Sequence, residues 1–180
     1  PGIRLFASGD LAGWVEEQHE FFRKKHPDAK TWSVKDGVVS CDGSLGNCGF
    51  LRYDRKLADF TLALEYRVSE GCNSGVCVRT AVPYDGNPDA TLPSKTGYEV
   101  QIQDDAGQPP SKTTSGAIYG LLAPAKNAAK PAGEWNALVV ECRGPRVKVT
   151  LNGVVIHDFD QTEVEAVKGR PRAGYLSLQN

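Results

Sequence analysis

The stretch Gly97-Tyr98-Glu99-Val100-Gln101-Ile102-Gln103-Asp104-Asp105 alternates between apolar and polar residues. Successive side chains of a β-strand point to opposite faces, so Tyr98, Val100 and Ile102 share one face and Glu99, Gln101 and Gln103 the other. The apolar face belongs against a core. The polar face carries a carboxylate and two amides in a row, with two more carboxylates at its end. Carboxylates accept hydrogen bonds from hydroxyls, and amides both donate and accept. Such a row suits a saccharide; the plainer reading is a solvated sheet face with cross-strand ion pairs.

The alternation recurs on both sides of this stretch. Residues 59–69 (DFTLALEYRVS) put Phe60, Leu62, Leu64, Tyr66 and Val68 on one face, with Glu65 and Arg67 on the other. Residues 76–80 read as a strand with Val76 and Val78 inward and Cys77 and Arg79 on the polar face. If these strands share a sheet with the 97–105 stretch, Glu65, Arg79, Glu99 and Gln101 lie on one surface, with Asn73, Asp104, Tyr119 and Lys126 around its rim. Residues 31–40 form a hairpin about Asp36-Gly37. Residues 146–159 form another about Asn152-Gly153, the residue pair that favours a type I′ turn. Residues 50–53, 135–143 and 173–179 complete a series of short strands. Many short strands separated by turn signals predict an all-β sandwich of two antiparallel sheets. The segment 15–25 (VEEQHEFFRKK) lacks Gly and Pro and reads as a helical lead-in ended by His26-Pro27.

A length of 180 residues fits one domain spanning the whole chain, with a formal net charge of -1. No basic excess is available to offset phosphates, which argues against nucleic acid. No apolar run approaches the length of a membrane span. The chain starts at Pro1 rather than Met, as an exported protein does after its signal is removed. Cys41/Cys48 and Cys72/Cys77 are close enough in sequence to pair in an oxidising compartment, and buried free thiols are the alternative. His157 beside Asp158 reads as a surface residue. Ser44 and Ser74 lack the strand-turn-helix setting of a nucleophile elbow. Asp104 and Asp105, with Asp85 and Asp89, offer loop oxygens of the kind a divalent metal such as calcium takes. Trp14, Trp32 and Trp135 read as core residues rather than sugar-stacking platforms.

Several ordered motifs together resemble the 3-keto-disaccharide hydrolase domain, a family once catalogued as a domain of unknown function. They are Leu57-Ala58-Asp59-Phe60, Asn73-Ser74-Gly75-Val76, Gly97-Tyr98-Glu99-Val100-Gln101, Ser115-Gly116-Ala117-Ile118-Tyr119-Gly120, Pro124-x-Lys126-Asn127, Glu134-Trp135-Asn136 and Gly174-Tyr175-Leu176-x-Leu178-Gln179. The resemblance implies a concanavalin-like jelly-roll sandwich and cleavage of 3-keto-glycosides on a concave polar face. It also implies a bacterial periplasmic, cell-surface or secreted location. Carried over residue by residue, it marks Asn73, Arg79, Glu99, Gln101, Tyr119 and Lys126. The expected roles are Glu99, Arg79 and Lys126 in catalysis, with Gln101, Asn73, Tyr119, Asp104 and Glu65 binding substrate. It further implies a His-Gly turn and closing strand beyond Gln179, whereas this chain ends at Asn180. Two other readings share the surface: a carbohydrate-binding module without chemistry, and a glycan hydrolase on the same fold. The latter wants two carboxylates a few residues apart on one strand, and Glu99-x-Gln101-x-Gln103 supplies one.

Overall fold

A computed structural model describes residues 2–6, 8–46, 49–85 and 91–180. The strands are β1 (Trp14–Gln18), β2 (Trp32–Lys35), β3 (Val38–Cys41), β4 (Gly49–Tyr53), β5 (Phe60–Tyr66), β6 (Asn73–Thr80), β7 (Tyr98–Gln103), β8 (Asn136–Arg143), β9 (Arg146–Leu151), β10 (Val154–Asp160) and β11 (Tyr175–Gln179). Two short helices, α1 (Glu20–Lys25) and α2 (Pro93–Thr96), and a 3-10 turn at Glu165–Val167 accompany them. One sheet has the order β1-β4-β11-β6-β7, the second the order β10-β9-β8-β5, and β2 and β3 form a separate hairpin. The pairings within both large sheets are antiparallel. A single apolar cluster draws on both, with Leu51, Val76, Val78, Tyr98, Val100 and Leu176 from the first and Leu138, Val140, Val149 and Leu151 from the second. The architecture is an all-β jelly-roll sandwich, as expected.

The local reasons are simple. Tyr98, Val100 and Ile102 point into the cluster, as their period of two requires. The two expected hairpins form with positive φ at both central residues, Asp36 (52°) with Gly37 (76°) and Asn152 (50°) with Gly153 (79°), the backbone of a type I′ turn.

The lead-in differs from expectation. Residues 14–18 are strand β1 rather than helix, paired residue for residue with β4. Trp14 is drawn into the core, where its ring stacks on Phe6 at 4.6 Å and meets Tyr53 at 5.3 Å. The helical preference of VEEQ is worth only tenths of a kcal/mol per residue, roughly, so this pairing overrides it. Helix α1 starts after His19, whose Nδ1 accepts a bond from the Phe21 N–H at 3.2 Å.

A second departure is a bulge in β6. Thr80 pairs with Tyr175 and Cys77 with Ser177, so Val78 and Arg79 together oppose Leu176 alone. Arg79 takes a positive φ of 56° there. The insertion breaks the alternation of β6 at this residue. Gly97 and Gly174 lie against the bulged backbone: a Cβ on Gly97 would fall 2.5 Å from the Val78 carbonyl oxygen, and one on Gly174 2.4 Å from the Arg79 carbonyl carbon.

Candidate functional site

The outer face of the five-stranded sheet carries the polar row. Directly paired residues in an antiparallel sheet share a face. The register therefore aligns Arg52 on β4, Ser177 on β11, Cys77 on β6 and Glu99 on β7 across four strands. Gln101 and Gly75 form the next pair, and Asn73 and Gln103 the one after. These residues face away from the core, yet Glu99 is only 4% exposed, Gln101 2% and Ser177 0%.

Burial raises the Glu99 carboxyl to about 7, with the Ser94 hydroxyl opposing part of the rise; no neighbouring cation contributes. The carboxyl leans across β6, occupying the space a side chain on Gly75 would need. A Cβ there would lie 2.8 Å from Glu99 Oε1 and 3.0 Å from its Cγ. Gln101 Nε2 donates to Asn73 Oδ1 at 3.2 Å and to Gln103 Oε1 at 3.3 Å. Among the described residues, its own Oε1 and the Ser177 hydroxyl are buried without a hydrogen-bond partner. Tyr119 belongs to a segment that extends the sheet beyond β7: its N–H donates to the Glu99 carbonyl, and Ile118 bridges Val100. Tyr119 stands at the edge beside Glu99, 39% exposed. At the opposite end of the row, Arg52 donates to Glu17 at 2.8 Å and Asp54 at 2.7 Å, with its guanidinium 4.5 Å above the Tyr175 ring.

Glu99, Gln101, Asn73 and Tyr119 thus come together, and the other expected residues stand elsewhere. Arg79 is the largest correction, because the bulge turns it off the polar face. Its side chain is buried, donates to the Ala58 carbonyl at 3.0 Å and the Gly144 carbonyl at 2.9 Å, and lies 3.6 Å from Asp59. It ties the two sheets together. Glu65 is exposed on β5, in the other sheet, where alternation correctly gives its face but says nothing of which sheet holds it. Lys126 is exposed, between Ala125, whose N–H donates to Ile156, and Asn127, which donates to Asp105. That anchors it past the far end of β7 from Glu99. Asp104 accepts from the Gly71 N–H at 3.0 Å and closes the turn before β6. Asp105 accepts from the Ser115 N–H at 2.8 Å. Among the described residues, no group of three or more His, Cys, Asp or Glu is gathered to hold a metal ion, and Asp89 lies outside them.

Other expectations also shift. His157 is buried, not on the surface, and its Nε2–H donates to the Gly116 carbonyl at 2.9 Å. Cys72, Cys77 and Cys142 are free thiols, so no Cys72–Cys77 bridge forms; burial pushes the Cys77 thiol well up, which leaves it inert. Cys48 lies outside the described residues. Trp14 and Trp32 are core, whereas Trp135 is exposed beneath Arg67 at 5.0 Å. Sequence reasoning missed Ser177 and Arg52. Their signal was present, since Leu176-Ser177-Leu178 and Leu51-Arg52-Tyr53 each place one polar residue between two apolar ones. A cleft of about 2050 Å³ opens between β5 and Trp14, Trp32 and Leu176; Asn73 and Gly75 line it and Glu99 does not.

Residues 2–180 match the model of a family described as the 3-keto-alpha-glucoside-1,2-lyase-like domain. A protein of Bacteroides thetaiotaomicron named 3-keto-disaccharide hydrolase is 28% identical over 178 residues, covering 90% of this chain and 57% of its own length. The chain thus spans little more than half of that relative. Two structures from Parabacteroides distasonis, provisionally described as glycosyl hydrolases, share the fold. One has TM-score 0.75 at 23% identity, covering 97% of this chain and 85% of its own. The other has TM-score 0.67 at 25% identity, covering 93% and 90%. The carbohydrate-binding module CBM66 of Bacillus subtilis has the same fold at TM-score 0.55 and 15% identity, covering 93% and 87%.

Proposed function

Because this chain belongs to the 3-keto-alpha-glucoside-1,2-lyase-like family, we infer that its outer sheet face cleaves glycosides oxidised at C3, with Glu99 as the base. The observation that carries this reading is a carboxyl brought to about 7 by burial, set among amides on a face turned away from the core. Such a group is poised to exchange a proton near neutral pH. The name of the Bacteroides relative supports the 3-keto substrate class.

A ketone at C3 acidifies the hydrogen on C2. The Glu99 carboxylate removes that proton, and the C–H electron pair becomes the enolate over C2, C3 and O3. The enolate then expels the C1 substituent: the C1–C2 double bond forms, the C1–O bond breaks, and its electrons leave with the glycosidic oxygen. The proton held by Glu99 returns to that oxygen. Addition of water across C1–C2 afterwards makes the net reaction a hydrolysis. Gln101, Asn73 and Tyr119 orient hydroxyls around the ring. The substrate is a saccharide, and the protein works outside the cytoplasm.

The competing reading is a module that binds sugar without cleaving it. It is favoured by the placement of Arg79 and Lys126, which leaves neither expected cation beside Glu99. Incubation with 3-keto-trehalose and a nitrophenyl 3-keto-α-glucoside, with and without chelator, separates the two. Release of the aglycone by wild type, lost by at least ~1000-fold in Glu99→Gln, is the expected result. Full turnover in that variant removes Glu99 from the chemistry, and sugar binding with no release supports the module.

A further inference from the structure

We propose that Ser177 and Gln101 read the α-hydroxyketone of the substrate as a donor–acceptor pair, with Ser177 donating to the ketone oxygen and Gln101 accepting from the neighbouring hydroxyl; this rests on the reading of the face as a 3-keto-glycoside site. Both residues are more than nine-tenths buried, and both bring an unpartnered polar atom to the face that Glu99 occupies. Buried polar atoms in native proteins are nearly all hydrogen-bonded, because leaving one unmade is unfavourable. Two such atoms on one sheet face indicate a ligand that completes them.

Their chemistry differs in a useful way. The Gln101 amide nitrogen is engaged by Asn73 and Gln103, which leaves the oxygen, an atom that can only accept. A ketone cannot satisfy it and a hydroxyl can. The Ser177 Oγ–H can donate, which suits a carbonyl oxygen and still better an enolate. The positions also fit. Ser177 and Glu99 flank Cys77 in one cross-strand row, so their strands lie two steps or about 10 Å apart. The Glu99 carboxyl has crossed one of those steps to lie over Gly75, two residues along β6 from Cys77, which leaves roughly 8 Å between carboxylate and hydroxyl. That interval holds a C2–H aimed at the base and an O3 aimed at the donor. Ser177 therefore supplies the stabilisation that Arg79 and Lys126, placed elsewhere, do not.

Two measurements test this. In the first, Ser177→Ala is assayed on the nitrophenyl 3-keto-α-glucoside. The expected loss is ~100-fold in kcat, the size seen when one oxyanion donor is removed, with KM within about threefold and a melting temperature no lower than wild type. A kcat within twofold of wild type overturns the proposal. In the second, calorimetry in the Glu99→Gln background compares binding of the ketone with that of its unoxidised parent. Ser177→Ala should weaken the ketone selectively, and Gln101→Met should weaken both by about tenfold or more, in line with the rejection of analogues that leave a site's polar group unpaired. Equal loss of ketone and parent in Ser177→Ala overturns the pair even where wild type binds sugar and releases no aglycone, the result that would defeat the enzymatic reading alone. If neither sugar binds wild type, both fall.

Discussion

Burial of Glu99 sets the stability of the fold against its chemistry. The folded carboxyl sits at about 7 against an ordinary 4.5. Below 4.5 it is neutral in both states and costs nothing. As pH rises through the interval the unfolded chain ionises first, and about 3 kcal/mol of stability is lost by pH 7. Urea unfolding of wild type and Glu99→Gln across pH 4 to 8 should show the variant gaining up to about 3 kcal/mol at the alkaline end, although its turnover is lost. In the opposite direction, wild-type kcat/KM should climb with pH through about 7, because the base must be ionised. Gly75→Ala belongs to the same scale. Its φ is unstrained, but its methyl would take the place of the carboxyl. Turnover should fall at least ~10-fold with the kcat/KM midpoint displaced from about 7, and stability should change by no more than about 1 kcal/mol. Arg79→Met should behave in the reverse manner, costing about 2–4 kcal/mol through the lost charge-assisted bonds while the folded fraction keeps its activity, a separation that urea midpoints and specific activity report together.

At the scale of elements, two features hold Glu99 in register. One is the bulge, whose backbone is hemmed by Gly97 and Gly174; Gly97→Ala should destabilise by more than about 2 kcal/mol, since backbone rather than a flexible side chain is in the way. The other is the segment 114–119, held to β7 by backbone bonds and to β10 by His157. Burial lowers the His157 imidazole, the Gly116 carbonyl opposing part of the effect. A depressed histidine contributes stability that is present above its ordinary 6.5 and lost as pH falls through its lower folded value. The protection factors of the Ala117 and Tyr119 amides in hydrogen exchange, corrected for the intrinsic rate, should therefore fall on acidification in wild type and not in His157→Gln. Neither feature was legible in the sequence, for a physical reason. Alternation reports which face a side chain takes within its own strand, so Tyr98, Val100, Ile102 and the two type I′ hairpins were readable locally. The bulge arises from how β6 pairs with β11, some ninety-five residues on, and the assignment of β5 to the other sheet is equally non-local. Ser177 was visible in the period of its strand but carried no chemical signal until the structure placed it in line with Glu99.

The whole molecule shows how the site depends on long-range closure. Glu99 and Gln101 lie on β7, Ser177 on β11 and Arg52 on β4, and the edge segment bearing Tyr119 follows β7. The face is assembled only when the sandwich is, so partial unfolding should abolish sugar binding in step with the loss of tertiary signal, measurable as coincident transitions in calorimetry and near-ultraviolet dichroism. Strand β11 is the piece on which this depends. It follows the other strands of its sheet in sequence, yet it lies in the middle, and among the described residues β1-β4 and β6-β7 meet only through it. During synthesis, then, the two ribbons that flank β11 leave the ribosome with open edges and wait for it to insert between them. For that interval the nascent chain exposes two sheet edges and their apolar faces to its neighbours, which makes the speed of translation through the codons of β11 a determinant of how much protein is recovered in soluble form.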